Sequence, residues 1–511
     1  MGWGRLGWVG VVVGAALAWN LVSSCGGSSS PAPQSLDNPD GGGVGGPSDG
    51  GQPDGGSNGG RPDGGLPDGG GHDGGVPDGG TDGGISFPPM DGWQFYGPAQ
   101  GVPSAVFGVT ADQGGNIWVA GGEEGLFLLQ PGTSTFRRFT MADGLHPYGY
   151  LPDGGVPPGQ NYLKVLSVAG GPPGTVFVGY AGKPPAAGQV DCDGNWDGPN
   201  PDPNIFKSGD ADKVTLQGNG ISVVHYDIFS GPNVVPAEPR GREKLCHILR
   251  IAYSPSNHSI WFGGNHGFAW GDANYAGDPT CNGQRSCSGL IEHAHPAFNC
   301  WSDESRSHVY YCTDAYYGMS VLPNGDVWAG GANRSTLFRY ATYGGDFFRA
   351  QAETEAPEGD TRDRFDIWPD LVSEPNYPTP SERVDDNVSD MAAMPDGTVW
   401  ISSFNRGLAH YRPGELLEYR VDRVVDPSGN ASALERDPSD GSLWIGYRWG
   451  GFARLNGNSY QAYDYRVLGP DLMVSHISDI SSDTSQGHRR ILVGFSGTAN
   501  TPGAIGVYDG N

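Results

Sequence analysis

One short pattern recurs along this chain and limits what it can fold into. It reads polar–apolar–Trp–apolar–small–small, as in Asn116-Ile-Trp-Val-Ala-Gly121 and Ser259-Ile-Trp-Phe-Gly-Gly264. Asp326-Val-Trp-Ala-Gly-Gly331, Thr398-Val-Trp-Ile-Ser-Ser403 and Ser442-Leu-Trp-Ile-Gly-Tyr447 repeat it. Thr175-Val-Phe-Val-Gly-Tyr180 and Arg490-Ile-Leu-Val-Gly-Phe495 are copies without the Trp. Consecutive apolar positions in a short β-type run mark a strand covered on both faces. A period of a few tens of residues points to a repeat architecture in which each unit packs on the next.

The fullest unit runs from Val106 to Leu145. Val106–Thr110 reads as a first strand, Asn116–Ala120 as a second, Gly125–Gln130 as a third and Thr135–Thr140 as a fourth. Seven first/second-strand pairs can be counted, which predicts an all-β chain, a seven-bladed β-propeller of four-stranded antiparallel blades. The last unit reaches a third strand at Ala504–Tyr508 and lacks a fourth. Trp93-Gln-Phe-Tyr96 resembles an orphan outer strand, so it is expected to complete the last blade from the N-terminal side and cover the edges. The repeat Trp residues are expected to pack between blades.

Asp112-Gln-Gly-Gly-Asn-Ile-Trp-Val-Ala120 with Gly125-Leu126 resembles the repeat of the two-component-regulator propeller family. Pro395-Asp-Gly-Thr-Val-Trp-Ile401 and Asp440-Gly-Ser-Leu-Trp-Ile-Gly446 resemble it comparably. The resemblance covers nearly all of residues 93–509 and implies the propeller; it does not imply an activity.

The N-terminus has a different texture. Arg5 precedes an apolar run ending in Val22-Ser-Ser-Cys25, which resembles the lipobox of bacterial lipoproteins. That resemblance implies a signal peptide over 1–24, a lipid on Cys25 and attachment to the cell envelope, with the outer membrane, periplasmic or surface face, as the expected location, without a spanning helix. Residues 26–85 are rich in Gly and Asp, with Pro-Asp-Gly-Gly at 53–56, 62–65, 67–70 and 77–80. With so little apolar surface to bury, 25–85 reads as a lipidated, disordered linker, and 86–511 as the propeller. The formal charge of −27 argues against nucleic acid as a partner, since phosphate backbones need a basic footprint.

Six further cysteines, Cys192, Cys246, Cys281, Cys287, Cys300 and Cys312, are disulfide candidates in an exported chain, with pairing open. Three long segments, near 181–212, 271–312 and 350–386, read as insertions on the scaffold, where binding residues tend to lie. The first carries Asp191, Asp193, Asn195 and Asp197, spaced like the opening of a calcium loop, so calcium is the candidate cofactor. Its twelfth position is Asn204, not Glu, and three prolines stiffen it, which leaves a solvated turn as the other reading. The second insertion contains His293 and His295, read as surface loop residues.

Polar residues on the innermost strands, Arg250, Asp390, Glu435 and His476, are the candidates for a central channel. No catalytic elbow, HExxH or phosphate-cradling loop is present in the sequence. The expectation is a binding or scaffold module for a protein, peptide or glycan. The alternatives are a lyase or hydrolase using the channel with a divalent metal, and a part of a larger envelope assembly.

Overall fold

The computed structural model describes residues 85–148, 161–183, 209–226, 247–264, 267–277, 290–294, 313–323, 325, 327–333, 347–350, 365–368, 388–404, 407–412, 421–424, 430–449 and 451–510. Cys25, the six other cysteines and the whole of 191–197 lie outside these residues, so the lipid, disulfide and calcium expectations fall outside them too.

The first strand, β1, is Trp93–Tyr96. A sheet follows from β2 (Gly108–Ala111), β3 (Ile117–Ala120), β4 (Leu126–Leu129) and β5 (Arg137–Phe139). The second sheet is β6 (Val165–Gly170), β7 (Thr175–Tyr180), β8 (Ala211–Gln217) and β9 (Gly220–Tyr226). The third is β10 (Ile248–Ser254), β11 (Ser259–Gly264), β12 (Gly267–Asp272) and β13 (Leu290–Ala294). β14 (Thr313–Val321), β15 (Val327–Asn333), β16 (Phe347–Ala350) and β17 (Phe365–Trp368) make the fourth. The fifth holds β18 (Val388–Ala393), β19 (Val399–Ser403), β20 (Gly407–Tyr411) and β21 (Val421–Val424). The sixth holds β22 (Ala431–Arg436), β23 (Leu443–Tyr447), β24 (Phe452–Asn456) and β25 (Ser459–Tyr463). A short helix, α1 (Tyr465–Met473), interrupted at Gly469, leads to β26 (Ile477–Asp483), β27 (Arg490–Phe495) and β28 (Ala504–Asp509).

These strands pair as four-stranded antiparallel sheets, seven among the described residues. The N-terminal strand β1 is the outer strand beside β28, with Trp93 opposite Tyr508 and Tyr96 opposite Ile505. First strands neighbour one another in chain order from β2 to β26, and β26 also touches β2. The fold is a β-propeller of four-stranded antiparallel blades. Two of the segments read as insertions contain the outer strand of their own blade, β13 within 271–312 and β17 within 350–386. The third, 181–212, runs into β8.

The apolar cores lie between blades rather than within them. Trp118 packs with Val165, Val176 and Val214 of the second blade, and Trp444 packs with Ile477, Ile491 and Phe495 of the seventh. Tyr96, Leu492 and Ile505 meet Val109, Ile117 and Phe127 across the seventh–first junction. Trp118, Trp261 and Trp444 are fully buried, and Trp328 nearly so. Trp400 is the exception: it is part-exposed and stacks on His410.

The repeat's other positions have physical reasons as well. Asp112 and Asp437, in the turns before the second strands, accept the indole N–H of Trp118 (2.9 Å) and Trp444 (3.0 Å). The small residue two positions after the Trp lets the next blade approach. A Cβ on Gly446 would lie 2.5 Å from Ile477, and one on Gly179 2.6 Å from Ile248. The family resemblance read from these positions is therefore a resemblance in blade-to-blade packing.

Candidate functional site

The innermost strands share an irregularity that sets the site. In six of the sheets the first strand shifts register near its start, for instance between Ile248 and Arg250, Val388 and Asp390, and Ile477 and Asp479. A bulge inserts one residue and re-aims the side chains that follow. The residue after each bulge faces the residue two places after the repeat Trp: Ser167 faces Gly179, Arg250 faces Gly263, Gly318 faces Gly330, Asp390 faces Ser402, Ala433 faces Gly446 and Asp479 faces Gly494. Gly108, opposite Ala120, holds the same register in the first sheet. One layer of the inner strands thus carries three charged residues among small ones.

Arg250 joins that layer together. Its Nη1 donates to Asp479 Oδ1 at 2.7 Å and its Nη2 to Asp390 Oδ2 at 3.0 Å. Each carboxylate also ties its own blade to the next: Asp479 accepts from Val109 N (3.0 Å) and Asp390 from Leu434 N (2.9 Å). One guanidinium and two carboxylates therefore link the first, third, fifth, sixth and seventh blades. A second layer repeats the scheme two residues further along: Thr110 accepts from Gly170 N, and Ser320 from Ala393 N, each across a junction. Glu435 occupies this layer, where the Ser482 side chain of the next blade opposes the upward pull of burial on its carboxyl.

The electrostatics follow from burial. Desolvation lifts Asp390 to about 7 against the opposing pull of Arg250, and it lifts Glu435 to about 7 as well. Burial would lower Arg250, but Asp390 and Asp479 hold it above its usual value. Arg250 retains 22% exposure while Asp390 has 1%, so solvent reaches the guanidinium and hardly the carboxylate. Chemically the cluster is a set of inter-blade ties with two carboxyls that titrate near neutrality.

Three of the four channel candidates, Arg250, Asp390 and Glu435, are brought together. His476 is not. It precedes β26, where its Nδ1 lies 3.0 Å from Ser496 Oγ and its carbonyl accepts from Ser496 N. Asp479 takes the place expected of it. Aligning the repeats on the residue two places after the Trp would have found Asp479, because it shares register with Arg250 and Asp390.

The first strands begin at the end of the blades where the second strands finish. At that end lie four of the five exposed large apolar side chains among the described residues, Tyr460 on β25 being the other. Tyr317 meets the Phe404 ring edge-on at 5.6 Å, and the Arg448 guanidinium lies over the Phe404 ring at 5.3 Å. Trp449 (50% exposed) and Tyr465 (67%) follow on the β23–β24 turn and on α1, with Val467 and Val474 also exposed. The turn and α1 touch, since a Cβ on Gly451 would meet Leu468 and Met473.

No protein-family profile matches the chain, and no curated protein matches it. Among solved structures it is similar to "YCF48 bound to D1 peptide", with 11% identity, 83% of this chain and 100% of that chain covered, and a TM-score of 0.44. It is similar to the extracellular domain of the putative hybrid two component system BT3049 from B. thetaiotaomicron, at 13% identity, 83% and 42% coverage, and a TM-score of 0.46. YCF48 from Cyanidioschyzon merolae is a further neighbour, at 13% identity, 82% and 98% coverage, and a TM-score of 0.42. The class of protein is that of the β-propellers.

Proposed function

We propose that this chain is an envelope-anchored binding module, a seven-bladed ring whose loop end recognises a protein or peptide, with a glycan as the alternative ligand. The carrying observation is the exposed group Trp449, Tyr465, Val467 and Val474 beside the aromatic set Tyr317 and Phe404. Large aromatics left in water at one end of a rigid scaffold mark interaction surfaces, because burying them on a partner is strongly favourable. The axis supports the same reading from the other side. Arg250, Asp390 and Asp479 are engaged in ties between blades, which suits a scaffold better than a reaction centre. The enzyme alternative retains one support, the two carboxyls held near 7.

The ring reading is supported by β1 lying beside β28 and by the apolar contact of the seventh blade with the first. Attachment through Cys25 and an envelope location rest on the sequence alone. Among the described residues no helix is long and apolar enough to cross a membrane.

A photo-crosslinking residue placed at 465 in the full chain in intact cells tests the surface. A discrete adduct is expected there, lost when Trp449→Ala is added, and none from the same residue placed at 435. Adducts from 435 alone would favour the channel. Cys25→Ser is expected to release the chain from the membrane fraction; retention would overturn the anchor.

A further inference from the structure

A second buried cluster, used by neither the axis nor the loop end, lies where the first blade hands over to the second. Asp210 and Asp212 flank the start of β8, His225 is near the end of β9, and His146 comes from the connection after β5. Asp210, Asp212 and His225 are all buried. His225 Nδ1 lies 2.9 Å from Asp212 Oδ1, and its Nε2 lies 3.5 Å from Asp210 Oδ2. The ring of His146 is 4.5 Å from that of His225, and its backbone N–H donates to Asp212 Oδ2 at 2.7 Å. The Tyr180 hydroxyl donates to the same oxygen. One donor atom each from His146, Asp212 and His225 fall within 4.8 Å of one another.

We propose that His146, Asp212 and His225 form a structural zinc site. Two imidazoles and a carboxylate make a nitrogen-and-oxygen donor set that suits zinc and is poor for calcium or magnesium, which take oxygen. Donor atoms around a tetrahedral zinc stand roughly 3.3 Å apart, given bonds of about 2.0–2.2 Å. The donor atoms lie within 4.8 Å of one another with His225 Nδ1 and Asp212 Oδ1 at 2.9 Å, so seating the ion opens that pair slightly and closes the wider spacings by up to about 1.5 Å. The ion takes the place of the proton between His225 Nδ1 and Asp212 Oδ1, and that proton leaves to solvent. His146 supplies the third ligand, and a water supplies the fourth.

The surroundings match what holds metal ligands in place. Ligating imidazoles commonly send their second nitrogen to a carboxylate, and ligating carboxylates are themselves hydrogen-bonded. Asp210 stands at Nε2 of His225, and Tyr180 with the His146 amide hold the far oxygen of Asp212. Asp210 adopts φ 66°, a left-handed conformation uncommon for a non-glycine residue. The consequence is mechanical. The ion ties the 140–148 connection to the two outer strands of the second blade, so the junction gains a cross-link that packing alone does not supply.

The test uses the full chain stripped with chelator and then titrated with zinc alone. One equivalent per chain is expected to bind and to raise the melting temperature. Cobalt in its place is expected to give only the weak visible bands of a nitrogen–oxygen tetrahedral site. His146→Ala is expected to weaken zinc binding about 100-fold or more while leaving the far-ultraviolet circular dichroism intact. Absence of a stoichiometric site, or binding unchanged in His146→Ala, would overturn the proposal. So would an intense thiolate-to-cobalt band, because it would assign the metal to the cysteines. If His146→Ala does not fold, the cobalt spectrum and zinc stoichiometry of the native chain decide the matter.

Discussion

Three of the repeat tryptophans, Trp118, Trp261 and Trp444, are held by a hydrogen bond as well as by packing. Asp112 accepts from Trp118 and also from the Asn116 amide, and Asp437 accepts from Trp444 while Arg454 pairs with it. Asp112→Ala leaves three buried donors, the Trp118 indole, the Asn116 amide and the Asn116 backbone N–H, without their acceptor, so a loss of about 2–4 kcal/mol is expected in urea unfolding. Trp118→Ala is expected to cost about 3–5 kcal/mol, and the part-exposed Trp400 clearly less. The axis carries a pH dependence whose sign follows from its carboxyls. Asp390 and Glu435 have folded pKa values of about 7, above the ordinary carboxylate range, so the folded chain binds more protons. Their contribution is full below about pH 4 and is lost as pH rises through about 7. The urea midpoint is expected to fall between pH 5 and 8. Arg250→Met leaves Asp390 and Asp479 uncompensated, so at pH 8 it should cost on the order of 3–5 kcal/mol, and less at pH 5. A midpoint that rises with pH over this range would contradict the assignment. At this scale Arg250, Asp390 and Glu435 were legible as charges interrupting apolar runs. Asp479 was not, because the bulge adds one residue and slips the alternation by which faces of a strand are counted.

Among the elements, the second strands were plain in the sequence and the outer ones were not. A strand such as β3 or β23, covered on both faces, is a run of apolar residues with a Trp and a small residue at fixed places. An outer strand such as Leu290–Ala294 is only five residues long, so its pattern is lost within a long polar segment. That is why 271–312 and 350–386 read as insertions although each holds an outer strand. The His146–Asp212–His225 cluster was hidden for a related reason: its members come from a connection and two strands, spread over eighty residues with no spacing motif. The small residue after the Trp gives a direct check on blade packing. Gly446→Ala puts a methyl against Ile477, and a loss of about 1–3 kcal/mol is expected in denaturant unfolding. An unchanged midpoint would mean that the sixth and seventh blades are not so closely apposed.

For the whole molecule, the blades stand or fall together, since each buries its apolar face only against its neighbour. The hub of Arg250, Asp390 and Asp479 adds ties between blades that are not adjacent. The exposed aromatic end then belongs to a body tied together across its axis, which can present a binding face with little reorganisation. The N-terminal strand touches three blades. Trp93 meets Tyr508 at 5.2 Å within its own blade, and Phe452 (5.0 Å) and Trp444 (6.0 Å) of the sixth, while Tyr96 packs toward the first. The most direct measurement is denaturant unfolding of the chain with and without residues 86–97. A single ring completed by β1 predicts one cooperative transition in the full chain, and a large drop in midpoint or loss of cooperativity in the shortened one. The same midpoint and slope in both would contradict it.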